Sequence, residues 1–445
     1  GDKVGAKISA GGFDASEFED FDDTAGFIAK DVERRSVLLD VWGQLTDNTQ
    51  ARFEVSCNDY RRNEDIILRT PGNVDYETVS IRGNILSDTE YGIWDLDVYH
   101  NNTRAYLNLL TDAINNEASA FEVDNSITVG KLSNTFKVGA DHTFRLAGEY
   151  RAGKNIFEAT PGLPVELDQG SDLTYEIFGV SGLWDYAVTS KVSTSVAVRF
   201  DHFDLDKKGP TNDVFINSPL NPFDPGFTED DFDAIDHNEI SYNLGAVYEA
   251  TEKDTFRATA ARGIDLPSFT EFGLQFLNAE GGTSNVLPAG GPLTFVGTPT
   301  TDPAIVHNFE LGYNRKLEPI NGALNASVFY QYNDEMQSFG AGFQGTAQPN
   351  LASPAADPSD GFISNIGDSE AYGLEIGLEG QTDRNLDWGL SYAYIEIDDD
   401  LRNFGFNPAN PNAFNSPAEY EDSVTNHTIS ANVGYSYQNW RFDVF

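Results

Sequence analysis

Apolar side chains fall two residues apart over segment after segment of this chain, and that spacing constrains the fold more than any other feature. A strand sends successive side chains to opposite faces, whereas a helix would repeat them at three and four. Between 239 and 249, Ile240, Tyr242, Leu244, Ala246 and Tyr248 share one face, while Glu239, Ser241, Asn243, Gly245 and Glu249 share the other. Tyr372, Leu374, Ile376 and Leu378 alternate in the same way with Gly373, Glu375, Gly377 and Glu379, and Trp388, Leu390, Tyr392 and Tyr394 with Gly389, Ser391 and Ala393. Val192, Val196, Val198 and Phe200 likewise oppose Ser193, Ser195, Arg199 and Asp201. About seventeen such segments can be drawn, the last unfinished. The chain is all-β.

A soluble sandwich also alternates, so the connections have to decide. Short turns near 47–49, 87–89, 133–140, 186–189, 251–253, 316–321, 384–386 and 437–439 alternate with long loops near 14–32, 61–74, 102–117, 154–170, 205–236, 265–302, 335–368 and 400–421. A sandwich has no reason to keep every long connection at one end, whereas a transmembrane barrel has tight turns on one side of the membrane and extended loops on the other. The polar face agrees with this, because Arg52, Arg82, Arg145, Arg199, Arg257, Glu310 and Glu375 would be costly in a packed interior and cost little in a hydrated lumen. Tyr330 and Tyr332 end one apolar stripe on its loop side, and Tyr435 and Tyr437 end another on its turn side, as two interfacial girdles would. The expected architecture is a transmembrane antiparallel β-barrel, with residues 1–445 as one barrel domain, monomeric and set in lipid and lipopolysaccharide.

Charge excludes one class of partner. With 28 Lys+Arg against 71 Asp+Glu, a formal charge of -43, the surface repels phosphate, so a nucleic-acid partner is not expected. Cys57 is the only cysteine, which removes disulfides, thiol redox pairs and Cys-based zinc sites, and its apolar-face neighbours Ala51, Phe53 and Val55 mark it as structural. His100, His202, His307 and His427 have no paired metal spacing, and no nucleophile lies in a strand-turn-helix context, so neither an enzyme nor a cofactor is expected. Asp230, Asp231, Asp233 and Asp236, beside His237, crowd enough oxygens to hold Ca²⁺. They lack the ordered spacing and glycine of an EF-hand, so a solvated loop is the expected reading, as for Glu17, Glu19, Asp20, Asp22 and Asp23.

Three motifs carry a family resemblance. Residues 256–272 resemble the SRGFRAPSLxEL signature of TonB-dependent outer-membrane receptors, matching at Arg262, Gly263, Pro267, Ser268 and Glu271 and departing at Asp265, where the family usually has a basic residue. Asn308 to Tyr313, with Glu310 and Gly312, is similar to the family's NYELGYK strand. Asn365-Ile-Gly followed by Ala371 to Glu375, with Gly373, resembles its later N…A…GVE strand. The resemblance implies a 22-stranded barrel around an amino-terminal plug, coupled through that plug to the inner-membrane protein TonB, in the outer membrane of a Gram-negative bacterium. About seventeen segments and no plug-like stretch then imply a chain truncated at both ends.

The implied function is energised import of a scarce ligand bound at external loops, with a passive large pore or a surface adhesin or phage receptor as alternatives. The loops at 265–302 and 335–368 contain no Lys or Arg, but they carry Phe269, Phe272, Phe276, Phe295, Phe339, Phe343 and Phe362. Aromatic, acidic loops suit a neutral or cationic ligand, such as an oligosaccharide, a hydroxamate-type iron chelate or a corrinoid, over a polyanionic catecholate.

Overall fold

The structure is a computed structural model and describes residues 3–15, 32–67, 70–110, 118–159, 165–167, 171–211, 226–273, 275–278, 293–338, 364–382, 385–401, 420–421 and 424–444. Seventeen strands form one curved antiparallel sheet. In chain order these are β1 (Val4–Ala15), β2 (Val32–Thr46), β3 (Thr49–Ile67), β4 (Thr70–Thr89), β5 (Gly92–Leu110), β6 (Ala118–Val138) and β7 (His142–Ala159). After the short β8 (Val165–Leu167) come β9 (Ser171–Thr189), β10 (Val192–Lys208), β11 (Asp236–Glu249) and β12 (Asp254–Asp265). The short β13 (Gln275–Asn278) and β14 (Leu293–Val296) precede β15 (Ala304–Leu317), β16 (Gly322–Ser338), β17 (Ser364–Gln381), β18 (Leu386–Leu401), β19 (His427–Tyr437) and β20 (Trp440–Val444). Apart from β8, β13 and β14, each strand pairs with the next along the chain, the up-and-down order of an outer-membrane barrel.

Register carries the alternation around the wall, with shifts confined to strand ends at Val192, Gln44–Thr46, Asp65–Ile67 and Asn333–Gln337. On the outside, Phe200 lies opposite Ile240, Ala260 opposite Phe309, and Phe309 opposite Tyr330. Large apolar side chains such as Leu146, Val198, Leu244, Leu311 and Leu390 are exposed there, as a lipid-facing band requires. Inside, Arg52 clamps Asp40 through two bonds of 2.8 and 2.9 Å, and Arg82 pairs with Asp97 on the next strand. Cross-strand ion pairs therefore neutralise lumen charges in place. No helix among the described residues is long and apolar enough to cross a membrane.

Four expected connections need correction. The connections expected at 61–74 and 102–117 are mostly strand: Arg61 pairs with Asp75 and Ile67 with Thr70, while Asn102 pairs with Ser126 and Leu110 with Ala118. Their polarity read as loop, but a hairpin that continues past the lipid is wet on both faces and needs no apolar stripe. The turns expected at 87–89 and 186–189 fall two or three residues later, because β4 runs to Thr89 and β9 to Thr189.

The long connections also fold inward. Leu173 and Ile177 of β9 and Phe203 and Leu205 of β10 occupy lumen-facing positions, yet all four are buried. The helix Glu229–Asp233 covers them with Phe232, the helix Phe269–Gly273 adds Phe272, and Ile235 completes the cluster. Above this, β8 pairs with β13, and β13 with β14, so the 160–170 and 274–303 connections share one small sheet.

Candidate functional site

Where the cluster meets the open lumen, a recess of about 570 Å³ indents the inner wall. Its walls come from inward positions of β7, β9 and β10 and from the segment that follows β12. On one side Tyr175 faces Phe269 at 4.7 Å between ring centroids and Phe203 at 5.9 Å. On the other, the Arg199 guanidinium donates through Nε to both Asp201 oxygens at 2.8 Å and through Nη2 to Glu149 at 3.3 Å. Arg151 shares the same Glu149 oxygen, also at 3.3 Å.

Two glycines let these groups lie flat against the sheet. A Cβ on Gly153 would stand 2.5 Å from the Tyr175 ring, and one on Gly179 would stand 2.3 Å from Arg199 Nη2. The ring and the ion pair therefore occupy space that any other residue would fill.

The short helices are fixed by their own chemistry. Asp231 accepts from the Thr228 amide at 2.7 Å and from its hydroxyl at 2.8 Å, and these bonds, the hydroxyl's foremost, hold its carboxyl below the ordinary aspartate range. Asp233 accepts the Lys207 amide at 3.0 Å, and the buried Lys207 ammonium lies 5.2 Å from the Phe232 ring. Asp236 meets His202 Nδ1 at 3.2 Å and the Asn238 amide at 3.1 Å. The carboxylates of Asp231, Asp233 and Asp236 thus each serve a protein partner, and no group of three ligating side chains gathers among the described residues. Asp230 is exposed on the same helix, and Glu17, Glu19, Asp20, Asp22 and Asp23 lie outside the described residues.

The aromatic residues singled out in the loops have separate fates. Phe272 is 1 % exposed, stacked 5.8 Å from Phe203, and it holds the helix down; in this arrangement it offers no ligand face. Phe269 is half-buried at the recess. Phe276 and Phe295 sit opposite each other in β13 and β14, while Phe339, Phe343 and Phe362 lie outside the described residues.

The motif residues are largely architectural. The β11–β12 ladder ends at the Tyr242–Arg262 pair, and there Arg262 reaches back to donate to the Ile240 carbonyl and, at 2.7 Å, to Glu239. It replaces the ladder bonds that the parting strands give up. Gly263 has open space above it, Pro267 is buried, and the Ser268 carbonyl accepts the Phe272 amide at 3.0 Å; Glu271 lies in that helix. Gly312 leaves room for the Arg257 guanidinium, Gly373 for the Phe329 ring, and Glu310 and Glu375 line one lumen trough with Arg257.

Asn365 does more than its motif suggested. Its amide donates to the Asp302 carbonyl at 2.9 Å and the Glu335 carbonyl at 2.7 Å, and its oxygen accepts the Asp302 amide at 2.8 Å. Gln337 adds bonds to the Asp302 and Asp265 carbonyls at 2.9 and 3.2 Å. Together they tie the feet of the 265–302 and 338–364 connections.

Known structures share this architecture. The alcaligin outer membrane receptor FauA from Bordetella pertussis superimposes with a TM-score of 0.55 at 13% identity over 98% of this chain and 61% of its own. The siderophore receptor PirA from Pseudomonas aeruginosa gives 0.60 at 13% identity, over 98% of this chain and 63% of its own. The copper transporter OprC gives 0.66 at 12% identity, over 99% of this chain and 62% of its own. The chain thus spans under two thirds of the length of these structures, and likeness at such identity establishes fold alone. No curated protein matches the sequence. The family model described as TonB dependent receptor-like, beta-barrel matches residues 13–445, nearly the whole chain, and the protein belongs to that family.

Proposed function

We propose that this barrel serves an outer-membrane receptor of a Gram-negative bacterium that binds a scarce ligand from the loop side and imports it with energy coupled through TonB. One observation carries the reading: the long connections fold down onto the inner wall and form a recess there. Loops that only met a partner on the cell surface would have no need to build against the lumen, and a pore open to unselective passage would gain nothing from a recess lined by rings and paired charges. TonB would act through a plug within the barrel, and the ligand would meet loop aromatics such as Phe269. A siderophore receptor and a copper transporter are among the proteins of similar architecture, and that likeness supports a small-ligand reading.

The test is uptake by intact cells carrying the complete receptor, with radiolabelled maltotriose, a ferric trihydroxamate and cobalamin as probes. Accumulation of one probe that stops when TonB is deleted or the proton-motive force is collapsed is the expected result. Entry of all three irrespective of TonB would make the protein a passive pore, and surface binding with no entry would make it an adhesin-type receptor.

A further inference from the structure

We infer that the recess between β7, β9, β10 and the helix Phe269–Gly273 is a binding site for a neutral polyhydroxylated ligand, a short glycan unit; this rests on the import reading above. At about 570 Å³ the recess falls within the range of small-molecule sites, and it combines an apolar wall with a few convergent polar groups. Each wall narrows the ligand.

The aromatic wall is angled. The half-buried Tyr175 and Phe269 rings meet at 34° and form a shallow trough, which the buried Phe203 backs at 31° to Tyr175. A pyranose presents an axial C–H face to such rings and turns its equatorial hydroxyls to the sides. The opposite wall meets those hydroxyls with planar charged groups. Arg199 spends Nε and Nη2 on Asp201 and Glu149, and its Nη1 donors have no protein partner among the described residues. Adjacent N–H donors and carboxylate acceptors held in one plane fit vicinal diols, which need a donor and an acceptor at neighbouring positions.

Charge and hydrogen bonding exclude three other ligand classes. Glu149 and Asp201 cancel Arg151 and Arg199, and Asp265 at the mouth adds a negative charge, so no free cation is left to capture a polyanion. A wholly apolar ligand would strip water from four ionic groups without replacing its hydrogen bonds. A bare metal ion finds no set of three ligating side chains among the described residues. A neutral ligand with many hydroxyls satisfies every group present. Gly153 and Gly179 are then part of the site, since each clears the space that the ring or the guanidinium occupies.

The test applies the purified, complete receptor to an array of neutral α- and β-linked hexose and pentose oligomers, and follows hits by isothermal titration at two salt concentrations. Binding to at least one oligomer is expected, with little salt dependence. Tyr175→Ala and Phe269→Ala should each weaken it about tenfold, the size of one lost stacking contact. Arg199→Lys keeps the charge but loses the fork, and should weaken it as much while leaving the heat-modifiable mobility of the barrel unchanged. Gly179→Ala should weaken it too, by displacing Arg199. No binding across the array, or binding that ignores all four substitutions, would overturn the inference. TonB-dependent import of a non-glycan would do the same and leave the import function standing, whereas glycan binding without TonB-dependent uptake would do the reverse.

Discussion

Replacing Phe272 by alanine should release the inward-folded helix while leaving the barrel intact. Phe272 is 1 % exposed and packs against Phe203, with the adjoining Gly273 close to Leu173, in a cluster built from two strands and two loop helices. An aromatic side chain buries roughly 150–250 Å², worth about 4–6 kcal/mol at ~25 cal/mol per Å². Measured Phe-to-Ala changes cost about 3–5 kcal/mol, and the lower range is the safer one here. The helix has five residues, far below the ~12 that an isolated helix needs, and it docks through Phe272 with Phe269 and Leu266 packed beside it. Phe272 is the most buried of these three, and losing ~3 kcal/mol multiplies the undocked population roughly a hundredfold. Hydrogen exchange on the receptor in detergent micelles reads this directly, because the Phe272 amide is bonded to the Ser268 carbonyl at 3.0 Å. In Phe272→Leu the amide at that position should lose protection partially, and in Phe272→Ala almost completely, with peptides from β10 and β11 unchanged. A change of less than about threefold in Phe272→Ala would refute the claim that the cluster holds the helix.

Two further outcomes follow from the hydrogen-bond geometry. Arg262→Met should lower barrel stability by about 1–3 kcal/mol, read as a lower heat-modification temperature, because it leaves the Ile240 carbonyl and a Glu239 carboxylate only 21 % exposed without their donor; Arg262→Lys should not restore it, since one ammonium cannot serve both. Asn365→Ala removes three bonds worth about 1 kcal/mol each and should raise protease cleavage in both the 265–302 and the 338–364 connections, whereas an increase in only one would show that Asn365 does not join them.

Strand faces, lumen charges and the turn-and-loop rhythm were legible because a period of two is imposed by the backbone itself, residue by residue. The inward fold of the loops was harder to read, yet its signal was in the chain. Leu173, Ile177, Phe203 and Leu205 put large apolar groups on the face that elsewhere carries Ser181, Ser195 and Asn243, and a greasy patch on a wet wall requires a cover. Arg262 was visible in the same way, as a cation on the apolar stripe of Phe256, Ala258, Ala260 and Ile264. Phe272 could not be separated from Phe269 by sequence, since which of two rings in one turn faces the wall depends on where the helix lands. The roles of Asn365 and Gln337 depend on contacts between residues up to 72 positions apart, which no local pattern encodes.

The length of β3 and β4 has a consequence for how solutes approach. At 19 and 20 residues, these strands run about 65 Å along the wall, or about 50 Å after a ~40° tilt, against an apolar band of about 25 Å. Their hairpin therefore stands some 20 Å clear of the lipid, more than two Debye lengths at ~8 Å in physiological salt. A charged molecule drifting in passes this parapet, whose residues 61–75 set Arg61, Arg62 and Arg69 against Glu64, Asp65 and Asp75, and meets the field of a chain of formal charge -43. Its encounter rate is set by the ionic strength of the water outside, slow for anions in fresh water and recovering in brine. A neutral molecule passes the parapet at the same rate in both.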